Sequence, residues 1–93
     1  MRYRTALGDV LREERRAKKL SLRDVANSGC IALGYLSEVE RGHKEISSEL
    51  LEGVAFGLGI EPYELVVKAG LRMASFDLPD TLESLFDTAS VMR

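Results

Sequence analysis

Apolar residues recur along this chain three or four positions apart, and turn chemistry interrupts them at intervals. Leu7, Val10, Leu11 and Ala17 form one such stripe and predict a helix from Thr5 to Lys18. Arg and Lys crowd its last turns, where cations suit the helix dipole. Ser21 offers an N-cap with Asp24 three residues on, a capping box with Asp in place of Glu. A short helix from Leu22 to about Asn27 follows, with Leu22, Val25 and Ala26 facing inward, and Asn27-Ser28-Gly29 reads as a turn. A third helix, Leu33 to Glu40, buries Leu36 and Val39, and Gly42 suits the position just past its end. Ser47 or Ser48 caps a fourth helix to about Leu58, with Leu51, Val54, Ala55 and Leu58 as its apolar face and Gly59 as its stop. Pro62 fits the first turn of a fifth helix carrying Tyr63, Leu65, Val66 and Ala69, whose end near Gly70 stays open.

After Ser75 the character changes. Leu78-Pro79-Asp80 is a break. Thr81 to Met92 then places Leu82, Leu85, Phe86 and Ala89 at i, i+3, i+4 and i+7, which predicts a sixth helix. No strand pattern, internal repeat or low-complexity run is visible. The expected fold is all-α, divided into residues 1–70 and a C-terminal extension, residues 71–93.

Composition narrows the function. Of 93 residues, 45% are hydrophobic and 30% charged, the balance of a globular domain. No stretch approaches the roughly 20 apolar residues of a membrane span, and no signal peptide is visible. A single cysteine, Cys30, rules out an internal disulfide framework. A cytoplasmic location is the expectation. A net charge of −2 argues against a nucleic-acid partner until its distribution is seen. Residues 1–45 hold ten Lys/Arg against seven Asp/Glu, whereas residues 46–93 hold three against eight. A basic front half and an acidic back half suggest that one face meets phosphate. There is no phosphate-binding glycine loop, nucleophile elbow or metal-ligand cluster. No catalytic residue, cofactor or metal is therefore expected, and the chain is not read as an enzyme.

Two short helices joined by a four-residue turn have the geometry of a helix-turn-helix. Small Ala26 lets the two cross closely, Ile31 fills the angle, and Leu36 and Val39 pin the second helix to the core. Leu33, Gly34, Ser37 and Glu38 are left on an outward face, with Arg41 at its end and Tyr35 at its flank.

The run Leu22-Arg23-Asp24-Val25-Ala26, the run Tyr35-Leu36-Ser37-Glu38-Val39-Glu40-Arg41-Gly42, and the later Gly57-Leu58-Gly59-Ile60 resemble the Cro/phage-repressor type of helix-turn-helix, the XRE family. The resemblance covers about residues 6 to 68. Leu33 through Glu45 and Ser47-Ser48-Glu49-Leu50-Leu51 are most similar to the actinobacterial Clp-gene regulators. It implies a five-helix lambda-repressor-like helix-turn-helix domain plus a C-terminal dimerisation helix. It also implies binding to promoters of Clp protease genes, as an activator whose further partner is RNA polymerase.

In that docking mode the second helix enters the major groove and reads bases near its N-terminal end. Leu33, Gly34, Ser37 and Glu38 are then the base-facing residues. Leu33 suits a thymine methyl, Ser37 several bases, and Glu38 the amino group of cytosine. Ser21, Arg23, Tyr35, Arg41, His43 and Lys44 are the phosphate clamps, which position rather than read. Tyr35 has core packing as its alternative. The family pattern implies that Glu40 folds back onto Arg15 as a structural ion pair. Two departures stand out: Ala32 occupies the usual Ser/Thr cap of the recognition helix, and Cys30 replaces a turn glycine. Cys30 is read as a turn or core residue and His43 as a surface residue near phosphate.

The C-terminal stripe either covers the domain's own core or forms a two-fold homodimer interface with Met73, Phe76 and Leu78 sealing it. A dimer suits paired half-sites about 34–36 Å apart on double-stranded DNA. The alternative function is a protein-interaction or antitoxin-like module built on the same fold.

Overall fold

The computed structural model describes residues 1–77, with side chains through Ser75. Five helices follow one another: α1 (Tyr3–Ala17), α2 (Leu22–Gly29), α3 (Leu33–Glu40), α4 (Ser48–Leu58) and α5 (Pro62–Asp77). No strand occurs among the described residues. The expected break at Leu78 and the expected sixth helix, with Leu82, Leu85, Phe86 and Ala89, lie outside them.

One apolar core joins all five helices. Leu7, Leu11, Val25, Leu36, Val39, Val54 and Leu65 are its large, fully enclosed side chains. α2 rests on α4, and α1 rests on both α3 and α5. On α1 the buried set is Ala6, Leu7, Gly8, Val10 and Leu11, whereas Ala17, expected in the stripe, is exposed. The helix outruns the core there, and Arg15 takes the inward position in its last turns. On α5 only Leu65 and Ala69 are fully buried among the described side chains, while Tyr63 and Val66 face outward. α5 also passes Gly70 without a break and is tied to α1 by Lys68 to Glu14 and Arg72 to Glu13. Hydrogen bonding by Glu14 raises the pKa of Lys68 above its ordinary value.

The helix ends follow from local chemistry. The Ser21 hydroxyl accepts the Asp24 N–H at 2.9 Å, and the Asp24 carboxylate accepts the Ser21 N–H at 2.8 Å, closing a full capping box. Those bonds, the Ser21 backbone N–H first, hold the Asp24 carboxyl below its ordinary 3.8. A lowered carboxyl stabilises the fold fully above pH 3.8 and loses that contribution as pH falls through the lowered value. Asp24→Asn should therefore be less stable than the parent at neutral pH, with the gap closing below pH 3.8. Urea melts across pH measure this, and a pH-independent gap would refute it.

α1 to α4 all end in the same way. A left-handed residue follows each helix, and the next N–H reaches back five positions: Leu20 to Arg15, Ile31 to Ala26, His43 to Glu38 and Ile60 to Ala55. This is the Schellman motif. Gly42 and Gly59 take the left-handed position without strain at φ +78° and +72°. Lys19 and Cys30 take it at φ 57° and 56°. The tight geometry thus survives at Cys30, and α2 runs to Gly29, past the turn expected at Asn27. A side chain in this conformation costs roughly 1–2 kcal/mol, against about 0.5–1 kcal/mol for the added chain entropy of glycine. Cys30→Gly should accordingly raise stability by about 0.5–1 kcal/mol, which thermal melts under reducing conditions would register. A loss of stability would show that the thiol contributes packing the geometry does not reveal.

Candidate nucleic-acid interface

α3 is clamped to α1 from three directions. Gly8 lies under its last turn, so close that a Cβ there would sit 2.5 Å from the Glu40 carbonyl oxygen. Arg12 donates to that same carbonyl at 2.9 Å. Arg15 donates from Nε and NH2 to the two carboxylate oxygens of Glu40 at 2.7 and 3.1 Å, and from NH1 to the Leu20 carbonyl. Glu40 is 7% exposed, the buried charged residue among the described ones. Its hydrogen bonding outweighs desolvation and raises the pKa of Arg15 above the ordinary value, so the guanidinium stays charged. A two-pronged bond of this kind sets angle as well as distance, and here it sets the rotation of α3. Arg12, the second arm on Glu40, was not anticipated; its spacing of three from Arg15 on one helix face was the available signal.

With Leu36, Val39 and Glu40 turned inward, the other side of α3 faces out. Gly34 is exposed, and a Cβ there would meet nothing within 4 Å. Ser37 and Glu38 are half-buried. Leu33 is half-buried too and touches the edge of the core. Ala32 starts the helix in extended geometry and makes no side-chain cap.

Around this surface the structure gathers some of the expected residues. Glu38 lies between His43 Nδ1 at 2.9 Å and Arg41 NH1 at 3.5 Å. The Tyr35 hydroxyl donates to the Glu45 carbonyl, and Lys44 sits 6.0 Å from the centre of the Tyr35 ring. Tyr35 is thus half-buried against the core and spends its proton on the loop that carries His43 and Lys44, which makes it a support of that loop. Ser21 and Arg23 lie at the start of α2, both exposed. Arg4 was also not foreseen: it pairs with Glu45 at 3.7 Å, beside Arg2 and Tyr3, where Gly42 approaches Thr5. Burial, then Glu45, raises the Tyr3 pKa. Of the expected interface residues, Met73 lies half-buried against its own core. The Phe76 side chain and the residues from Leu78 onward lie outside the described part.

Among the described residues, no group of three His, Cys, Asp or Glu could hold a metal ion. No described helix is long and apolar enough to cross a membrane.

A clamped second helix with a bare outer face, preceded by a capped first helix and a left-handed turn, defines a helix-turn-helix protein. The XRE-type helix-turn-helix family matches residues 11–65, and the chain belongs to it. It is 46% identical over 71 residues to the transcriptional regulator ClgR of Mycobacterium tuberculosis, covering 76% of this chain and 63% of that one. The chain thus spans less than two thirds of that relative. Among solved structures, the clp gene regulator ClgR from Corynebacterium glutamicum superposes with a TM-score of 0.78 at 37% identity, covering 96% of this chain and 95% of that one. The restriction-modification controller protein C.AhdI from Aeromonas hydrophila gives 0.65 at 37% identity, covering 67% and 94%. These relatives are regulators, not enzymes.

Proposed function

We propose that this chain is a cytoplasmic, sequence-specific DNA-binding transcription regulator that acts as a two-fold dimer and activates Clp protease genes. The observation that carries the reading is the outward face of α3, with open space at Gly34 among the described residues, while its inner face is clamped by Gly8, Arg12 and Arg15. A rigid helix with one uncovered side is the shape that enters a major groove. Leu33, Gly34, Ser37 and Glu38 then face bases, and Ser21, Arg23, Arg41, His43 and Lys44 face phosphates. Tyr35 contributes by holding the loop. The DNA-binding domain, expected over residues 1–70, is continued by the rest of α5, which passes Gly70 and packs Met73 on the same core.

Dimerisation has support outside the expected segment. Phe56 is 76% and Tyr63 65% exposed, and Val66, Val67 and Leu71 continue an outward stripe along α5 at helical spacing. An apolar stripe of this kind on a small domain suits an interface between copies. The residues 71–93 would extend it. In the full chain, Val67→Asp and Phe86→Asp should each shift the chain toward monomer by light scattering if the α5 stripe and the C-terminal segment form one interface; an effect of one variant alone would confine the interface to that segment. As an activator the dimer would further contact RNA polymerase.

The direct test selects bound duplexes from a random pool and compares them with clp promoters. The parent should enrich a palindrome with half-sites one turn apart. Leu33→Ala combined with Ser37→Ala should lose preference at specific positions, each good base contact contributing about 1–3 kcal/mol of discrimination. Absence of any enriched sequence, together with a stable non-self protein partner, would instead favour the antitoxin-like alternative.

A further inference from the structure

The outward face of α3 carries one carboxylate, and the fold sets two nitrogen-bearing side chains, Arg41 and His43, beside it. Glu38 accepts from His43 Nδ1 and from Arg41 NH1. The backbone holds this arrangement in place. Gly42 reverses the chain at φ +78°, and the His43 N–H donates to the Glu38 carbonyl at 3.0 Å. Residues 38 and 43 are therefore neighbours by virtue of the Schellman turn, and Arg41 lies on the same side one turn along from Glu38. The Arg41 and His43 side chains are themselves exposed. Ion pairs this exposed contribute little to stability. Their consequence lies in what Arg41 and His43 remain able to bind.

Phosphate and carboxylate compete for the same N–H groups. A carboxylate pressed against DNA meets phosphates and mostly acceptor edges. The donors available to it in the major groove are the amino groups of cytosine and adenine. Away from such a base, Glu38 is best satisfied by keeping Arg41 and His43. Over such a base, an amino group replaces them and the N–H donors of Arg41 and His43 become available to the backbone.

Resting on the reading that α3 docks in the major groove, we infer that Glu38 is an internal competitor of phosphate. It withholds Arg41 and His43 from the DNA backbone until a base amino group takes their place. Base identity at one position is thereby coupled to backbone affinity. Specificity arises as much from suppressed binding to wrong sequences as from attraction to the right one, which is the repulsive element that discrimination requires.

The experiment uses the full chain, a labelled random-sequence duplex and a duplex enriched by selection with the parent, followed by anisotropy over a range of salt. Glu38→Gln keeps the side-chain shape and removes the charge. It should raise affinity for the random duplex by about tenfold and steepen its salt dependence by about one to two charges. The preference for the enriched duplex should shrink accordingly. Arg41→Ala with His43→Ala supplies the second background, in which adding Glu38→Gln should change random-duplex affinity by less than about twofold. Matching thermal melts confirm that each variant is folded. An equal gain in both backgrounds would reduce Glu38 to a repulsive charge and overturn the inference. An unchanged random-duplex affinity in the parent background would overturn it as well, leaving Glu38 as a base reader alone. If the parent binds neither duplex at low salt, the DNA-binding reading itself fails, an outcome distinct from the other two.

Discussion

Arg15→Ala is expected to lower the stability of this domain by about 3 kcal/mol. The substitution leaves the Glu40 carboxylate 7% exposed without its two-pronged partner. Breaking a buried pair from one side typically costs about 3–5 kcal/mol, because the remaining charge is uncompensated. The lower end applies here, since Arg12 Nε remains 3.9 Å from the same carboxylate. For a domain of this size the melting temperature should fall by more than about 10 °C. Removing both charges together, as Arg15→Met with Glu40→Leu, should recover much of the loss, because no charge is then stranded. DNA affinity should not recover with it, since the rotation of α3 is no longer set. Urea melts combined with anisotropy separate the two effects. A loss below about 1 kcal/mol for Arg15→Ala would place the pair in the class of exposed ion pairs and remove it as the organiser of α3.

Gly29→Ala should be comparably damaging, for a steric reason. A Cβ at residue 29 would lie 2.3 Å from the Gly53 carbonyl oxygen and 2.8 Å from its carbon. Both are backbone atoms of α4, so no side chain can swing away. Gly53 and Gly57 make the reciprocal approach, with Cβ positions 2.8 Å from the carbonyl oxygens of Gly29 and Val25. α2 and α4 therefore meet backbone to backbone, and a methyl group must drive them apart. Overpacking of this kind costs about 1–3 kcal/mol and occasionally more; the upper end is expected here because two rigid elements must shift. Gly70→Ala is the internal control. It lies within α5 with nothing within 4 Å of the added atom, and it should stabilise by about 0.5–1 kcal/mol through helix propensity. Thermal melts showing equal effects for the two substitutions would refute the crossing.

The same residues show where reading the chain succeeds and where it stops. The capping box at Ser21, the stop at Gly59 and the limits of α3 are local events, written in residues a few positions apart, and the helices begin and end there. The inward pair Leu36 and Val39 is equally local, since a 3.6-residue period decides which side of a short helix is apolar. Gly29 was legible only as a turn former. What it meets, Gly53, lies on another helix, and no local pattern states that contact. Tyr63 and Val66 belong to the same class: their apolar character suggested burial, but α5 spends its inward face on Leu65 and Ala69. Arg15 with Glu40 was available from the family pattern, while Arg12 and Arg4 depended on which surfaces α1 presents once docked.

The five described helices, most of their limits and the inward pair Leu36 and Val39 were legible in the chain alone, because caps, turns and amphipathic period act over a few residues. Only the packed helices settled the glycine crossing of α2 with α4, the second arginine, Arg12, on Glu40, and the placing of Glu38 beside Arg41 and His43. Each of these depends on distances between groups whose approach is set by how whole helices settle on a shared core, a balance of volume and charge that no short stretch of chain contains.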